Sequence, residues 1–402
     1  MNTLLSTLLP YGMTWAEMLL RWLHVIAAIA WIGSSFYFVW LDNSLEVPTD
    51  PELRKRGVDG ELWAVHGGGF YNPQKYLVAP RSLPAHLHWF YWESYTTWLS
   101  GFALLSVLYF YRAGIFIVDP RVFAWSSPAL AGLAILGFLA VGWLVYDTIC
   151  RLFGQARGGD RLVGLLVALY VLAAAWLACH LFAGRAAFLV VGAMLATSMS
   201  ANVLFWIIPG QRRVVAALRA GTHPNPADGK RGKQRSVHNT YFTLPVVFAM
   251  LSNHYSFLYE ARHNWLVLVM LMLAGALVRQ FFVLKHKGKW KWQYWGVAVL
   301  LVGSLVIALA PLPAPASTAV SDAPVAFARV RAIVQQRCIL CHAGPAASKG
   351  IRLDEDASIV SHAQDIYQQV VVTRAMPLNN STGMTDAQRV EIARWVEAGA
   401  RR

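Results

Sequence analysis

Two cysteines and a histidine stand together near the C-terminus, in the order Cys338-Ile339-Leu340-Cys341-His342. Thiols at this C-x-x-C spacing add across the vinyl groups of a haem, and the adjacent histidine then lies beneath the iron. A zinc site would need a second pair of ligands, whereas no further cysteine follows and only His362 lies downstream. The motif therefore predicts covalently bound haem c, with His342 as a ligand of the haem iron.

The second axial ligand of this iron is expected from a methionine in a later loop. Met376 precedes Pro377, and a Met-Pro in a loop is the usual source of this ligand in small cytochromes c. Met384 is the alternative, but it directly precedes the capping box that Thr385 and Gln388 predict at the start of a helix. Ligation by His and Met raises the reduction potential of a haem, so this haem should accept electrons and pass them outward.

Helical patterns on both sides complete a small cytochrome c domain. A helix is predicted before the motif, from Phe327 to Gln336, and a second helix at the end of the chain. The apolar stripe of that last helix consists of Ile392, Ala393 and Val396, with Trp395 alongside.

The remainder of the chain has the composition of a membrane protein. Of the 402 residues, 56% are hydrophobic and 14% are charged, where a soluble domain has about 25% charged residues. The first apolar run is too long for a cleavable signal peptide and is expected to insert as a helix. Runs long enough to cross a bilayer start near Trp15, His88, Pro128, Leu162, Ala186, Thr240, Asn264 and Tyr294.

These patterns predict an all-α protein with two parts. A transmembrane bundle of about eight helices should occupy residues 1–310, and the cytochrome c domain residues 325–402. The Pro/Ala/Ser-rich segment 311–324 should act as an extended linker between them.

Basic residues predict the orientation of the bundle, because cytoplasmic loops retain Lys and Arg. One alternate set of loops holds 19 Lys and Arg, and the other set holds four. The first set should be cytoplasmic, which places both termini and the cytochrome domain on the periplasmic side of the inner membrane. The net charge of +14 is thus a topology signal and indicates no nucleic-acid partner.

Ionisable residues inside membrane helices are costly and mark candidate sites. The outer layer contains His24, His180 and His254, of which two could ligate a second haem, of b type; the alternative is that they are interfacial histidines bonded to backbone or water. The cytoplasmic layer could equally be ordinary polar residues near the boundary, and it contains His86, His88, Glu93, Asp147, His238 and Arg279.

Four segments also resemble a known family. They are 21–37, which includes His24, then His66-Gly-Gly-Gly-Phe-Tyr71, then 84–93, and finally 238–245 with 252–255. Together they resemble the membrane-bound, cytochrome-c-linked urate oxidase (urate hydroxylase) family, in which a membrane domain of this length is fused to a C-terminal cytochrome c. The resemblance extends over essentially the whole chain.

The resemblance implies oxidation of urate to 5-hydroxyisourate, with electrons entering the respiratory chain through a soluble cytochrome c or a terminal oxidase. It assigns no catalytic residue. Residue spacing and composition alone leave two alternatives open. The chain could act on another donor such as a quinol, or it could be a non-catalytic oxidase-type subunit, although a mere anchor would need one span.

Urate is a planar monoanion near neutral pH, so its site needs a cation, a base and a nearby electron acceptor. The cytoplasmic layer offers Arg81 or Arg279 as cation, His86, His88 or His238 as base, and Glu93 as an orienting carboxylate. A pocket beside His24 and His254 is the alternative, because the two layers should lie roughly 15–20 Å apart at about 1.5 Å of rise per helical residue.

Overall fold

A computed structural model describes residues 2–76, 79–80, 82–156, 158–310, 325–344 and 347–402. Across these residues the chain is helical apart from four short strands, which confirms the predicted all-α class. The predicted linker 311–324 and the candidate cation Arg81 lie outside the described residues, and the division into domains stays a prediction.

The first twelve helices form the N-terminal part. Their bounds are α1 (Asn2–Ser44), α2 (Pro51–Lys55), α3 (Trp92–Leu105), α4 (Ala113–Phe116), α5 (Pro128–Phe153), α6 (Gly159–Leu181), α7 (Gly184–Ala201), α8 (Ile208–Arg219), α9 (Pro226–Leu251), α10 (Ser256–Tyr259), α11 (Asn264–His286) and α12 (Gln293–Ala308). π-Helical turns extend α3 through Ser106–Phe110 and join α7 to α8 through Asn202–Ile207.

A helix is present at each of the eight predicted places, but the starts of three differ from the prediction. α1 begins at Asn2, well before Trp15, and α3 begins at Trp92, not near His88. α9 begins well before Thr240 and continues through Pro245. That all eight cross the bilayer stays a prediction. In the described part of the chain, the helices long and apolar enough to cross a membrane are Tyr11–Ser44, Pro128–Phe153, Gly159–Leu181, Gly184–Arg219 and Asn264–His286.

α7 is the central helix of the bundle. It packs against α5, α6 and α9, while α1 packs mainly against α3. Small residues such as Ala186, Ala187 and Gly192 line α7 and are buried, which lets the neighbouring helices approach closely. α7 therefore lies at the centre of the bundle, with α5, α6 and α9 packed around it.

The segment between α1 and α3 forms two nested antiparallel pairs that the sequence analysis did not predict. β1 (Val58–Glu61) pairs with β4 (Gln74–Tyr76), and β2 (Ala64–His66) pairs with β3 (Gly69–Tyr71). Gly67 and Gly68 join β2 to β3 with φ of +58° and +81°, as a two-residue hairpin turn requires. The glycine run of one family-like segment is thus a tight turn.

The C-terminal part has its own hydrophobic core, formed around Val334, Ile392 and Trp395. The predicted capping box of Thr385 and Gln388 is confirmed. The helices of this part are α13 (Phe327–Arg337), α14 (Asp356–Ser361), α15 (Ala363–Tyr367) and α16 (Asp386–Glu397).

Candidate functional site

The C-x-x-C-H motif follows α13 directly, because Cys338 is the residue that ends this helix. Nδ1 of His342 lies 3.1 Å from the carbonyl oxygen of Ile351, so Nδ1–H donates to it and Nε2 remains for a metal. Burial raises the pKa of the Cys338 thiol to about 11, so this thiol is protonated at neutral pH. Two thiols and an oriented imidazole fit a covalently bound haem c, which would supply a one-electron acceptor.

The two candidate methionines have different surroundings. Met384 is 4% exposed and belongs to the core of the C-terminal part, whereas Met376 packs at the edge of that core. Arg389 of α16 donates to the backbone oxygens of Met376, at 2.9 Å, and Val370. The Met376 loop is thus held by its backbone, which leaves its side chain available and favours Met376 as the iron ligand.

Met376→Ala is expected to lower the reduction potential of haem c and abolish the charge-transfer band of a Met-ligated iron. Met384→Ala is the matched control, because it should keep the band while the cavity it leaves costs about 2–5 kcal/mol of stability. Visible absorption spectra of the oxidised proteins decide between them. A band that survives Met376→Ala would move the assignment to Met384.

The Met376 loop contacts the N-terminal part of the chain. Nδ2 of Asn379 donates to the carbonyl oxygen of Ile115 in α4 over 2.6 Å, and Asn379 is 3% exposed. Around this contact, burial raises the pKa of Glu260, while the positive charges of Arg121 and Arg389 lower it. The face of the C-terminal part that carries the candidate iron ligand therefore packs on α4.

A cavity of about 290 Å³, here called the outer cavity, opens near α4. His24 of α1 and His254, just after α9, both line it. Arg21 and Arg185 also line it, so it combines two histidines with two cations. Most of its other lining residues are apolar, including Val25, Phe102, Leu104, Leu105, Leu108, Leu139, Leu189, Ala193, Ala196, Met250 and Leu251.

The ring of His24 is held in one orientation inside this cavity. Its Nδ1 lies 3.0 Å from the carbonyl oxygen of Thr97 and 3.2 Å from Oγ of Ser100. A Cβ atom at Gly101 would lie 2.7 Å from Cε1 of His24, so only glycine leaves room for the ring. His24 is therefore oriented by α3, with Nε2 unengaged by these bonds.

Polar contacts connect the outer cavity to α4. Asn253 accepts hydrogen bonds from the Tyr109 hydroxyl (2.9 Å) and from Nε of Arg185 (3.3 Å). The ring of Phe116 in α4 lies 5.7 Å from the Tyr109 ring and 5.7 Å from the Arg185 guanidinium. Because Ile115 adjoins Phe116, a short run of contacts leads from the cavity to Asn379.

His180, the third histidine predicted for the outer layer, lies elsewhere. It is exposed, its Nδ1 lies 2.7 Å from the carbonyl oxygen of Trp176, and its ring stacks on that indole at 4.3 Å. It does not line the outer cavity. The structure therefore brings together His24 and His254 alone among the three.

A buried polar network joins α5, α9 and the π-helical turn after α7. Nδ1 of His238 is 2.8 Å from the Tyr146 hydroxyl, which accepts from Asn202 at 2.9 Å. Asn202 also accepts from Arg235 at 3.3 Å, and Arg235 pairs with Asp147 at 2.6 Å. His238 is thus the end of a continuous chain of hydrogen bonds that could hold or move a proton.

His238 faces a second cavity of about 680 Å³ between α6, α9 and α11, here called the inner groove. Lys230 and Lys233 also line it, as does Tyr241. Sequence reasoning missed these three residues, although Lys230, His238 and Tyr241 recur at helical spacing and share a face of α9. The groove offers a base with cations near it.

The two cavities approach each other across α7. Leu195 lines the inner groove, and the next residue, Ala196, lines the outer cavity. A helix with its side chains is about 10–12 Å across. The gap between the two spaces is thus shorter than the distance estimated between the histidine layers.

The other predicted catalytic residues do not meet in one place. His86 and His88 are exposed in the loop before α3, where His88 contacts Phe90, and Glu93 is half-buried in the first turn of α3. Arg279 is buried with its guanidinium 4.5 Å from the Phe36 ring. Among the described residues, no hydrogen bond or ion pair joins any of these four residues to another or to His238.

The arrangement can hold or move a proton at His238, and comparison with known proteins identifies the family of the chain. No curated protein and no solved structure matches the chain. The sequence model of the urate oxidase N-terminal family matches residues 10–310, which include both cavities and the buried network. Because this match covers well over half of the 402 residues, the chain belongs to the urate oxidase N-terminal family.

Proposed function

We propose that the chain oxidises urate to 5-hydroxyisourate and passes the electrons through haem c to a respiratory acceptor, such as a soluble cytochrome c or a terminal oxidase. The observation that carries the proposal is the contact of Asn379 with Ile115. It places the loop of the candidate iron ligand against the family-matched part of the chain, beside the outer cavity. A tail that served only as a separate carrier would not need this contact.

The chemistry requires a base and a one-electron acceptor. The urate monoanion and one water give 5-hydroxyisourate, one proton and two electrons. A histidine suits the proton transfer, because its unperturbed pKa is about 6.5. The acceptor must take the electrons singly, as a haem iron does.

We place urate oxidation at the inner groove, with His238 as the base. With Nδ1–H of His238 donating to the Tyr146 hydroxyl over 2.8 Å, Nε2 is the unprotonated nitrogen that can accept a proton from the substrate. Lys230 and Lys233 at the groove would attract the urate anion. Purine catabolism supplies urate inside the cell, so a groove near the cytoplasmic helix ends avoids export, and the electrons need only pass α7 to reach the outer cavity.

The same proposal fixes the location of each part. The N-terminal part crosses the inner, cytoplasmic membrane several times, and the C-terminal part lies in the periplasm. The support comes from the 19 basic residues in one set of loops against four in the other, together with the attachment of haem c, which takes place outside the cytoplasm.

Anaerobic urate should reduce haem c in spheroplasts that contain the full chain, as followed by the absorption of the reduced haem. Ferricyanide, which does not cross the membrane, should then reoxidise it from outside. Urate that leaves haem c oxidised would refute the proposed substrate. Reduction that external ferricyanide does not reverse would place the C-terminal part on the other side.

A quinol is the second candidate donor, because the inner groove suits a lipid-soluble molecule. Its lining is mostly apolar and includes the exposed residues Leu172 and Leu273, which would face lipid. The same anaerobic assay separates the two functions. Reduction of haem c by a short-chain quinol and not by urate would show that a quinol is the electron donor.

A further inference from the structure

We propose that the outer cavity binds a non-covalent haem b, with His24 and His254 as its axial ligands. These residues lie on different helical segments, α1 and the turn after α9, and line the same cavity. The site does not depend on which donor supplies the electrons, so it stands or falls separately from urate oxidation.

His24 has the surroundings of a metal-ligating histidine. Such a residue donates its second ring N–H to a carbonyl or hydroxyl, which fixes the tautomer and the orientation of the ring. Thr97 and Ser100 provide this contact to Nδ1 at 3.0 and 3.2 Å. With Gly101 leaving room for the ring, Nε2 is the nitrogen that can ligate iron from within the cavity.

His254 can supply the second ligand from the cavity mouth. It is exposed, and its imidazole makes no hydrogen bond within the part of the chain that the structure describes. The neighbouring residue, Asn253, is fixed by Tyr109 and Arg185, so the backbone at His254 is held in place while its ring is not. An unengaged imidazole next to an anchored residue is suited to ligation.

The walls of the cavity are apolar like the haem ring, and its mouth carries a cation that suits the haem propionates. Apolar side chains line most of the cavity, and they include the aromatic rings of Trp98 and Phe102, whose centroids lie 5.4 Å apart. At the mouth, Arg185 bonds to Asn253 through Nε. No carboxylate pairs with Arg185 within the part of the chain that the structure describes. Arg185 is therefore available to an anion such as a haem propionate.

A haem would enter this space edge-first and fill it with only part of its ring. The cavity measures about 290 Å³, just below the roughly 300–1,000 Å³ range of small-molecule sites, so the rest of the haem would stay outside the opening. A haem would keep its propionate edge at the opening beside Arg185, because Arg21 is already paired with Glu17 at 2.6 Å. Its apolar edge would be directed towards α3 and α7.

A haem at this place would solve an electron-counting problem. Urate gives up two electrons, and the Fe(III) of a single haem c takes only one. If urate is the donor, two haems could accept one electron each, and His238 could accept the single proton. The outer cavity lies between the inner groove, across α7, and α4, where Asn379 contacts Ile115.

The test measures the haem content of the purified full chain, with no urate added. Acidified acetone should extract one haem b per chain and leave one haem c on the polypeptide, as read by the pyridine haemochrome spectra. His24→Ala and His254→Ala should each lose haem b and keep haem c. His180→Ala is the matched control and should keep both, because His180 lies outside the cavity.

A second variant guards against a folding defect. His24→Gly grown with imidazole should recover haem b, since free imidazole can occupy the space of the ring. Wild-type protein without extractable haem would overturn the proposal, as would haem b that persists with an unchanged spectrum in His24→Ala and His254→Ala. Urate bound to haem-b-free wild-type protein and lost in His24→Ala would show that urate occupies the cavity instead.

Discussion

His238→Ala is expected to slow urate-dependent reduction of haem c by about 10²–10⁴-fold, the usual contribution of a general acid–base group. The reason is that His238 ends the hydrogen-bond chain through Tyr146 and faces the inner groove. Stopped-flow absorption of haem c at saturating urate measures the effect. Tyr146→Phe should have a smaller effect. This variant loses the hydrogen bond that orients the imidazole of His238, but the imidazole itself is still present as the base.

His88→Ala and Glu93→Ala provide the comparison for this prediction. Neither residue lines the inner groove, so both variants should reduce haem c at close to the wild-type rate. The haem content of each variant must be checked first. If His88→Ala or Glu93→Ala is slow while His238→Ala is fast, urate is oxidised at the start of α3 and not in the groove.

Local features of the fold were predictable because they depend on local chemistry. The capping box of Thr385 and Gln388 needs only three residues of separation, and the helix that precedes Cys338 follows from apolar periodicity. Hydropathy also located the helices of the bundle, since a long apolar run that could cross a bilayer must satisfy its backbone bonds within its own helix. The start of α3 was harder to locate, because the aromatic residues before Trp92 suit both a loop at the interface and a helix.

The grouping of polar residues depends on helix rotation and packing, which hydropathy does not contain. His24, His180 and His254 were placed at similar depth by counting along their helices. The count could not show that α3 orients the ring of His24 while His180 points away from the cavity. In the same way, Leu195 and Ala196 are neighbours in the sequence but face different cavities, so the short gap across α7 emerges only from the packing.

The buried pair of Asp147 and Arg235 lies behind His238 and should matter mainly for stability. Their side chains are 5% and 3% exposed and lie 2.6 Å apart. Asp147 also accepts from the indole of Trp206 at 2.7 Å. Removing one partner of a buried pair leaves the other charge without compensation, which costs about 3–5 kcal/mol. The consequence is a folding defect that could be mistaken for a catalytic one.

Asp147→Ala is therefore expected to lower the unfolding free energy of the detergent-solubilised protein by about 3–5 kcal/mol. Arg151→Ala is the matched control: Arg151 pairs with the same carboxylate at 2.6 Å but is 59% exposed, and exposed pairs contribute about 0–1 kcal/mol. Denaturant titration followed by Trp fluorescence measures both. The double variant Asp147→Leu/Arg235→Met should recover much of the loss, because it leaves no unpaired charge. Equal effects of Asp147→Ala and Arg151→Ala would show that the buried pair is no stronger than its exposed counterpart.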